Sequence, residues 1–147
     1  MADELKGRIQ ADLNAARKER DRLRVLVLST LLSEIRNQEI DDGAPLDDAG
    51  VVRVLSRAIK QRRDAAEQMR AAGREELAEQ EEAQAGVLGA YLPEQLDEEE
   101  VRAMVRAEIA AGAEQMGALM GRLMPRIQGR FDGKEANRIV REELAAR

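Results

Sequence analysis

The chain contains no cysteine, histidine or tryptophan, and only one tyrosine, one phenylalanine and three prolines. Without thiols there is no disulfide, no thiolate zinc site and no cysteine nucleophile. Without imidazole there is no histidine base and no histidine-containing triad. Aromatic residues make up 1% of the chain, too few to stack a run of single-stranded bases. No apolar run approaches the roughly 18 residues that a membrane-spanning helix needs. The opening, Met1 to Arg8, places Asp3 and Glu4 where a signal peptide would be basic and then apolar. No P-loop, dinucleotide fingerprint or metal-ligand spacing occurs, so no cofactor and no metal are expected. These absences predict a cytoplasmic protein with no membrane partner, and the lack of cysteine fits a reducing compartment.

What is there is helix material. Of 147 residues, 44% are hydrophobic and 36% charged, with 24 basic against 29 acidic side chains. That apolar share suffices for a core, which must be aliphatic. Ala, Glu, Arg and Leu are strong helix formers, and no alternating strand pattern survives. The fold class read from the sequence is therefore all-α. Leu5, Ile9, Leu13 and Ala16 make one apolar stripe. Asp21 suits the N-cap of a second helix. There Leu23, Leu26, Val27, Leu28, Leu31, Leu32 and Ile35 cover most of the circumference, which predicts the central, most buried helix. A third helix starts near Asp47, carries Val51, Val54, Leu55, Ala58, Ile59, Ala66 and Met69, and closes at Gly73. The fourth, from about Arg74, is very polar and is expected to pack by its C-terminal half, through Val87, Leu88, Tyr91 and Leu92. Pro93 stops it.

Pro93-Glu94-Gln95-Leu96 marks a boundary between an N-terminal bundle of about four helices, 1–93, and a small three-helix tail domain, 94–147. In the tail, Asp97 with Glu100 and Asp132 with Glu135 have capping-box spacing. Its apolar positions are Val101, Met104, Val105 and Ile109, then Met116, Leu119, Met120, Leu123, Met124 and Ile127, then Ala136, Ile139, Val140 and Leu144.

The tail also carries a basic series: Arg122, Arg126, Arg130, Lys134 and Arg138, with Arg141 nearby. From Gln115 to Arg141 six basic residues face two acidic ones, on an otherwise acidic chain. Such a patch is the footprint of an anionic partner, and arginine forks suit phosphate; the competing reading is a solvated helix surface. A second series, Arg53, Arg57, Lys60, Arg62 and Arg63, reads more simply as a surface paired to Asp64 and Glu67. Gly117 and Gly121 lie four apart on one helix, where glycine costs roughly 1 kcal/mol against alanine; close packing against another helix would account for them. Phe131 precedes the Asp132 cap and reads as a hydrophobic staple onto Ala136 rather than a base-stacking ring. The tail methionines read as adaptable core.

Several runs carry a family resemblance. Val54-Leu55-Ser56-Arg57, Lys60-Gln61-Arg62-Arg63-Asp64, Ala72-Gly73-Arg74-Glu75-Glu76-Leu77 and Tyr91-Leu92-Pro93-Glu94-Gln95-Leu96 resemble the GatB/YqeY family, specifically its stand-alone YqeY-like members. Met116-Gly117-Ala118-Leu119-Met120-Gly121, Gly129-Arg130-Phe131-Asp132-Gly133-Lys134 and Asn137 to Val140 are similar to the tail of the B subunit of the tRNA-dependent amidotransferase. The resemblance implies two helical units and a partner that is tRNA or another structured RNA, with a protein of the translation machinery as a further possible partner. It implies phosphate contacts from Arg122, Arg126, Arg130, Lys134 and Arg138, with Gly129 and Gly133 letting the RNA backbone approach. It also carries the family label of a carbon–nitrogen ligase with glutamine as amido donor. The hydroxyls of Ser29, Thr30, Ser33 and Ser56 fall on predicted helices without a base. The expectation is thus an RNA-binding chain without catalysis of its own; the alternatives are an amidotransferase-like accessory protein and a protein–protein adaptor.

Overall fold

The computed structural model describes residues 4–147. Of the acidic opening, Asp3 lies outside the described residues. The described residues form α1 (Glu4–Glu19), α2 (Arg22–Asp42), α3 (Asp48–Ala71), α4 (Glu75–Gly89), α5 (Glu98–Ala110), α6 (Met116–Ile127) and α7 (Gly133–Ala146), with no strand among them. The chain divides into two compact units, Met1–Leu92 and Pro93–Arg147.

In the first unit, α1 buries Ile9, Leu13 and Ala16, the stripe its spacing predicts. It ends in a left-handed Arg20, with φ 57°. The Asp21 amide then donates to the Ala16 carbonyl at 3.0 Å, while its side chain accepts from the Arg24 amide at 3.1 Å. One residue thereby closes one helix and opens the next. The second helix departs from expectation. It buries Val27, Leu28, Leu31 and Ile35 but leaves Leu23, Leu26 and Ile40 exposed. The most buried element is α3, which hides Val51, Val52, Val54, Leu55, Ala58, Ile59 and Ala66 because α1, α2 and α4 all pack against it. A helix apolar on several sides can present only some of them to its neighbours, and here the neighbours gather round α3.

The fourth helix also differs. Its N-terminal half lies on α3 as well, through the buried Ala78 and through Arg70, which pairs with both Glu75 and Glu82. Small side chains and ion pairs make this contact, whereas Leu77 stays 38% exposed. Beyond α4, Tyr91 is buried, donates its hydroxyl to the Asp12 carboxylate and lies under the Arg8 guanidinium, 4.9 Å from the ring centroid. Burial, then the Asp12 carboxylate, push its phenol above the ordinary tyrosine value.

The second unit has its own core: Val101 and Val105 of α5, Leu119, Leu123 and Ile127 of α6, and Ala136, Ile139 and Val140 of α7. Met104, Met116, Met120, Met124 and Phe131 pack round it, half-buried. The Asp97–Glu100 capping box is complete, with both bonds at 2.8 Å. The second box does not form. Asp132 accepts from the Lys134 amide at 3.2 Å, but Glu135 turns to Arg138 instead, because a guanidinium three residues on offers the carboxylate a stronger partner than a backbone amide. Gly117 and Gly121 do not face a neighbouring helix either: a methyl group built on each would meet nothing within 4 Å. The α6 core stripe points the other way, so these glycines look into solvent.

Candidate nucleic-acid interface

The exposed face of α6 carries Arg122 and Arg126, one turn apart. Both reach the same carboxylate, Glu108 of α5, at 3.3 and 3.4 Å. One negative charge thus serves two cations at long range, and both guanidinia remain about half exposed, 51% and 52%. Such exposed pairs contribute little and are easily exchanged for another anion.

Arg130 follows in the turn after α6. Its Nε donates to the Glu94 carbonyl at 2.9 Å and its Nη1 to the Arg126 carbonyl at 3.1 Å. It has no carboxylate partner among the described residues. The turn itself is tied down by the boundary segment. Gln95 Nε2 donates to the Gly129 carbonyl at 2.7 Å, and the Leu96 amide donates to the Arg130 carbonyl at 2.8 Å. Gly129 has φ 75°, a left-handed backbone that glycine adopts without strain. The Pro-Glu-Gln-Leu run therefore does more than separate two units: it fixes the backbone that presents Arg130. Gln95 and Glu108 escape sequence reading, since each acts on residues far along the chain. Lys134, at the start of α7, is exposed and forms no ion pair among the described residues.

Arg138 is differently placed. It pairs with Glu98 at 2.7 Å, Glu135 at 2.8 Å and Glu142 at 2.7 Å. Alongside it, Arg102 pairs with Glu98, Glu142 and Glu143, and Arg106 with Glu143. This is a clasp between α5 and α7. The Arg138 partners, Glu135 first, push its pKa above the ordinary arginine value. Glu98 is held below the usual carboxylate value by Arg138 first, Glu142 by Arg102 first and Glu143 by Arg106 first. Of the five cations expected to meet a partner, Arg122, Arg126, Arg130 and Lys134 leave positive charge in excess, whereas Arg138 is matched within its own unit. A methyl group at Gly133 would lie 3.7 Å from Met124 Cε, an ordinary van der Waals contact that a larger side chain could make as well.

The second basic series is a mixed surface. Lys60 pairs with Asp64 at 3.4 Å, Arg57 donates to Gln38 at 3.2 Å, and Arg62 links α3 to Gln84 of α4 at 3.2 Å. Among the described residues no group of three or more carboxylates is placed to hold a metal, and no helix is long and apolar enough to cross a membrane. The Ser29 hydroxyl donates to the Leu26 carbonyl of its own helix at 3.1 Å.

The model of the Yqey-like protein family matches residues 6–144, almost the whole chain. The chain belongs to the YqeY-like family. A Candida glabrata protein named altered inheritance of mitochondria protein 41, mitochondrial, is 31% identical over 90 residues, 60% of this chain and 50% of that protein. Its Lachancea thermotolerans namesake is 35% identical over 85 residues, 57% of this chain and 46% of that protein. A Schizosaccharomyces pombe relative, whose name assigns it no role, is 43% identical over 67 residues, 46% of this chain and 54% of that protein. The chain thus spans about half the length of the curated relatives it matches. These names correct one expectation. A cytoplasmic location was expected, yet two relatives of this YqeY-like chain are named as mitochondrial. An absence of cysteine speaks to redox conditions, not to which compartment supplies them.

Proposed function

We propose that the second unit of this YqeY-like protein binds structured RNA, the body of a tRNA in particular, through backbone phosphates. The observation that carries this reading is the unequal pairing of its cations. The clasp sets four carboxylates, Glu98, Glu135, Glu142 and Glu143, against three arginines, Arg102, Arg106 and Arg138, while Arg122 and Arg126 share Glu108 and Arg130 and Lys134 have no carboxylate partner among the described residues. A local excess of positive charge, such as the six basic against two acidic residues from Gln115 to Arg141, attracts a polyanion. The resemblance of this segment to the tail of the amidotransferase B subunit supports tRNA as that polyanion. An A-form helix shows side chains little sequence information in its deep groove, so phosphate contact and shape are the expected mode. The exposed Gly117, Ala118 and Gly121, beside Arg122, leave α6 smooth enough for a sugar–phosphate backbone to lie close.

The test is tRNA binding across a salt series. Affinity should fall as salt rises, and neutralising Arg126 or Lys134 with glutamine should each lower the salt slope by about one. Arg138→Gln should leave that slope unchanged, because its charge is already matched. An unchanged slope in the Arg126→Gln/Lys134→Gln double variant would overturn the reading.

A further inference from the structure

The bare flank of α2 has an order of its own. Leu23, Leu26, Thr30, Ser33, Asn37 and Ile40 follow one another at steps of three and four, the spacing of a coiled-coil seam. The three large apolar members are 39%, 54% and 69% exposed. They lie on the side of the helix away from Val27, Leu28, Leu31 and Ile35, which face the core. At about 1.5 Å per residue the seam runs about 26 Å. Its two borders carry opposite charge: Arg22 and Arg36 on one side, Glu34 and Asp41 on the other. None of Arg22, Glu34, Arg36 and Asp41 forms a salt bridge among the described residues.

We propose that this seam pairs with the same seam of a second copy, the two α2 helices running parallel about a two-fold axis. The polar residues select this arrangement. Run in parallel, Asn37 meets Asn37 of the other copy at one level, where each amide satisfies the other, and Thr30 and Ser33 likewise meet themselves. Run antiparallel, Asn37 faces Leu26 and is left without a polar partner. The borders agree. A parallel pair sets Arg36 beside Asp41 of the other copy, on both sides of the axis, whereas an antiparallel pair sets arginine against arginine and carboxylate against carboxylate. A single asparagine at such a position is a known device for fixing register and two-strandedness at some cost in strength. With half its positions polar, the seam makes a reversible dimer rather than a permanent one. The isologous contact closes on itself, so association stops at two.

Sedimentation equilibrium of the whole chain, from micromolar to millimolar protein, tests this. The mass should rise from 16.3 kDa towards twice that value. Leu26→Glu, at an exposed site, should keep the single mass with unchanged helical circular dichroism. Arg36→Glu and Asp41→Lys should each weaken the dimer, and the two together should restore it. Because the chain has no cysteine, Ile40→Cys should give a disulfide-linked dimer on mild oxidation, while Ala83→Cys on α4 should not. A chain of single mass at every concentration would overturn the proposal. So would a dimer indifferent to Leu26→Glu, or a charge swap that fails to restore association.

Discussion

Arg20 holds a left-handed backbone, φ 57°, in the turn between α1 and α2. An L-residue in that region carries roughly 1–2 kcal/mol of strain from its Cβ. Its side chain is exposed and forms no ion pair among the described residues, so nothing visible offsets the strain. Arg20→Gly should raise the stability of the first unit by about 1 kcal/mol, read as a higher denaturant midpoint with an unchanged slope. At the same scale, Glu108 decides how available two arginines are. It stands between Arg122 and Arg126 and leaves one positive charge uncompensated.

Among the elements, α5 and α7 are joined by the Arg102, Arg106 and Arg138 clasp. The carboxylates of Glu98, Glu142 and Glu143 are depressed by it below 4.5. A group whose folded pKa lies under its unfolded value stabilises fully above the unfolded value and loses that contribution as pH falls through the folded one. The second unit should therefore weaken as pH drops below about 4.5. Arg138→Gln should melt lower than the parent near neutral pH, and the gap should narrow in acid. How much of this was legible in the sequence follows from distance along the chain. The Asp21 and Asp97 caps reach three residues ahead, so spacing alone finds them. Glu135 sits at cap spacing too, but a competing guanidinium captured it. Gln95 acts on Gly129 across 34 residues, and no local pattern announces that. The fold class and the apolar stripes were readable, whereas the choice of α3 over α2 as the buried centre depends on which neighbours arrive. The row of cations was readable as residues; their unequal pairing was not, because the clasp partners of Arg138 include Glu98, 40 residues away.

At the scale of the whole molecule, two hydrophobic clusters share no residue. A unit of roughly 60 residues buries a smaller share of its surface than a larger one and is correspondingly marginal. The unit Pro93–Arg147 should thus unfold before Met1–Leu92 in denaturant. Far-ultraviolet circular dichroism should lose part of its amplitude before the environment of Tyr91 changes, and coincident curves would count against separate unfolding. Tyr91 makes that comparison possible. It is the chain's one phenol, buried in the first unit, and the one phenyl ring, Phe131, belongs to the second. Each half of the protein carries its own optical label, supplied by the natural sequence, so the melting of either can be followed in the intact chain without attaching a dye.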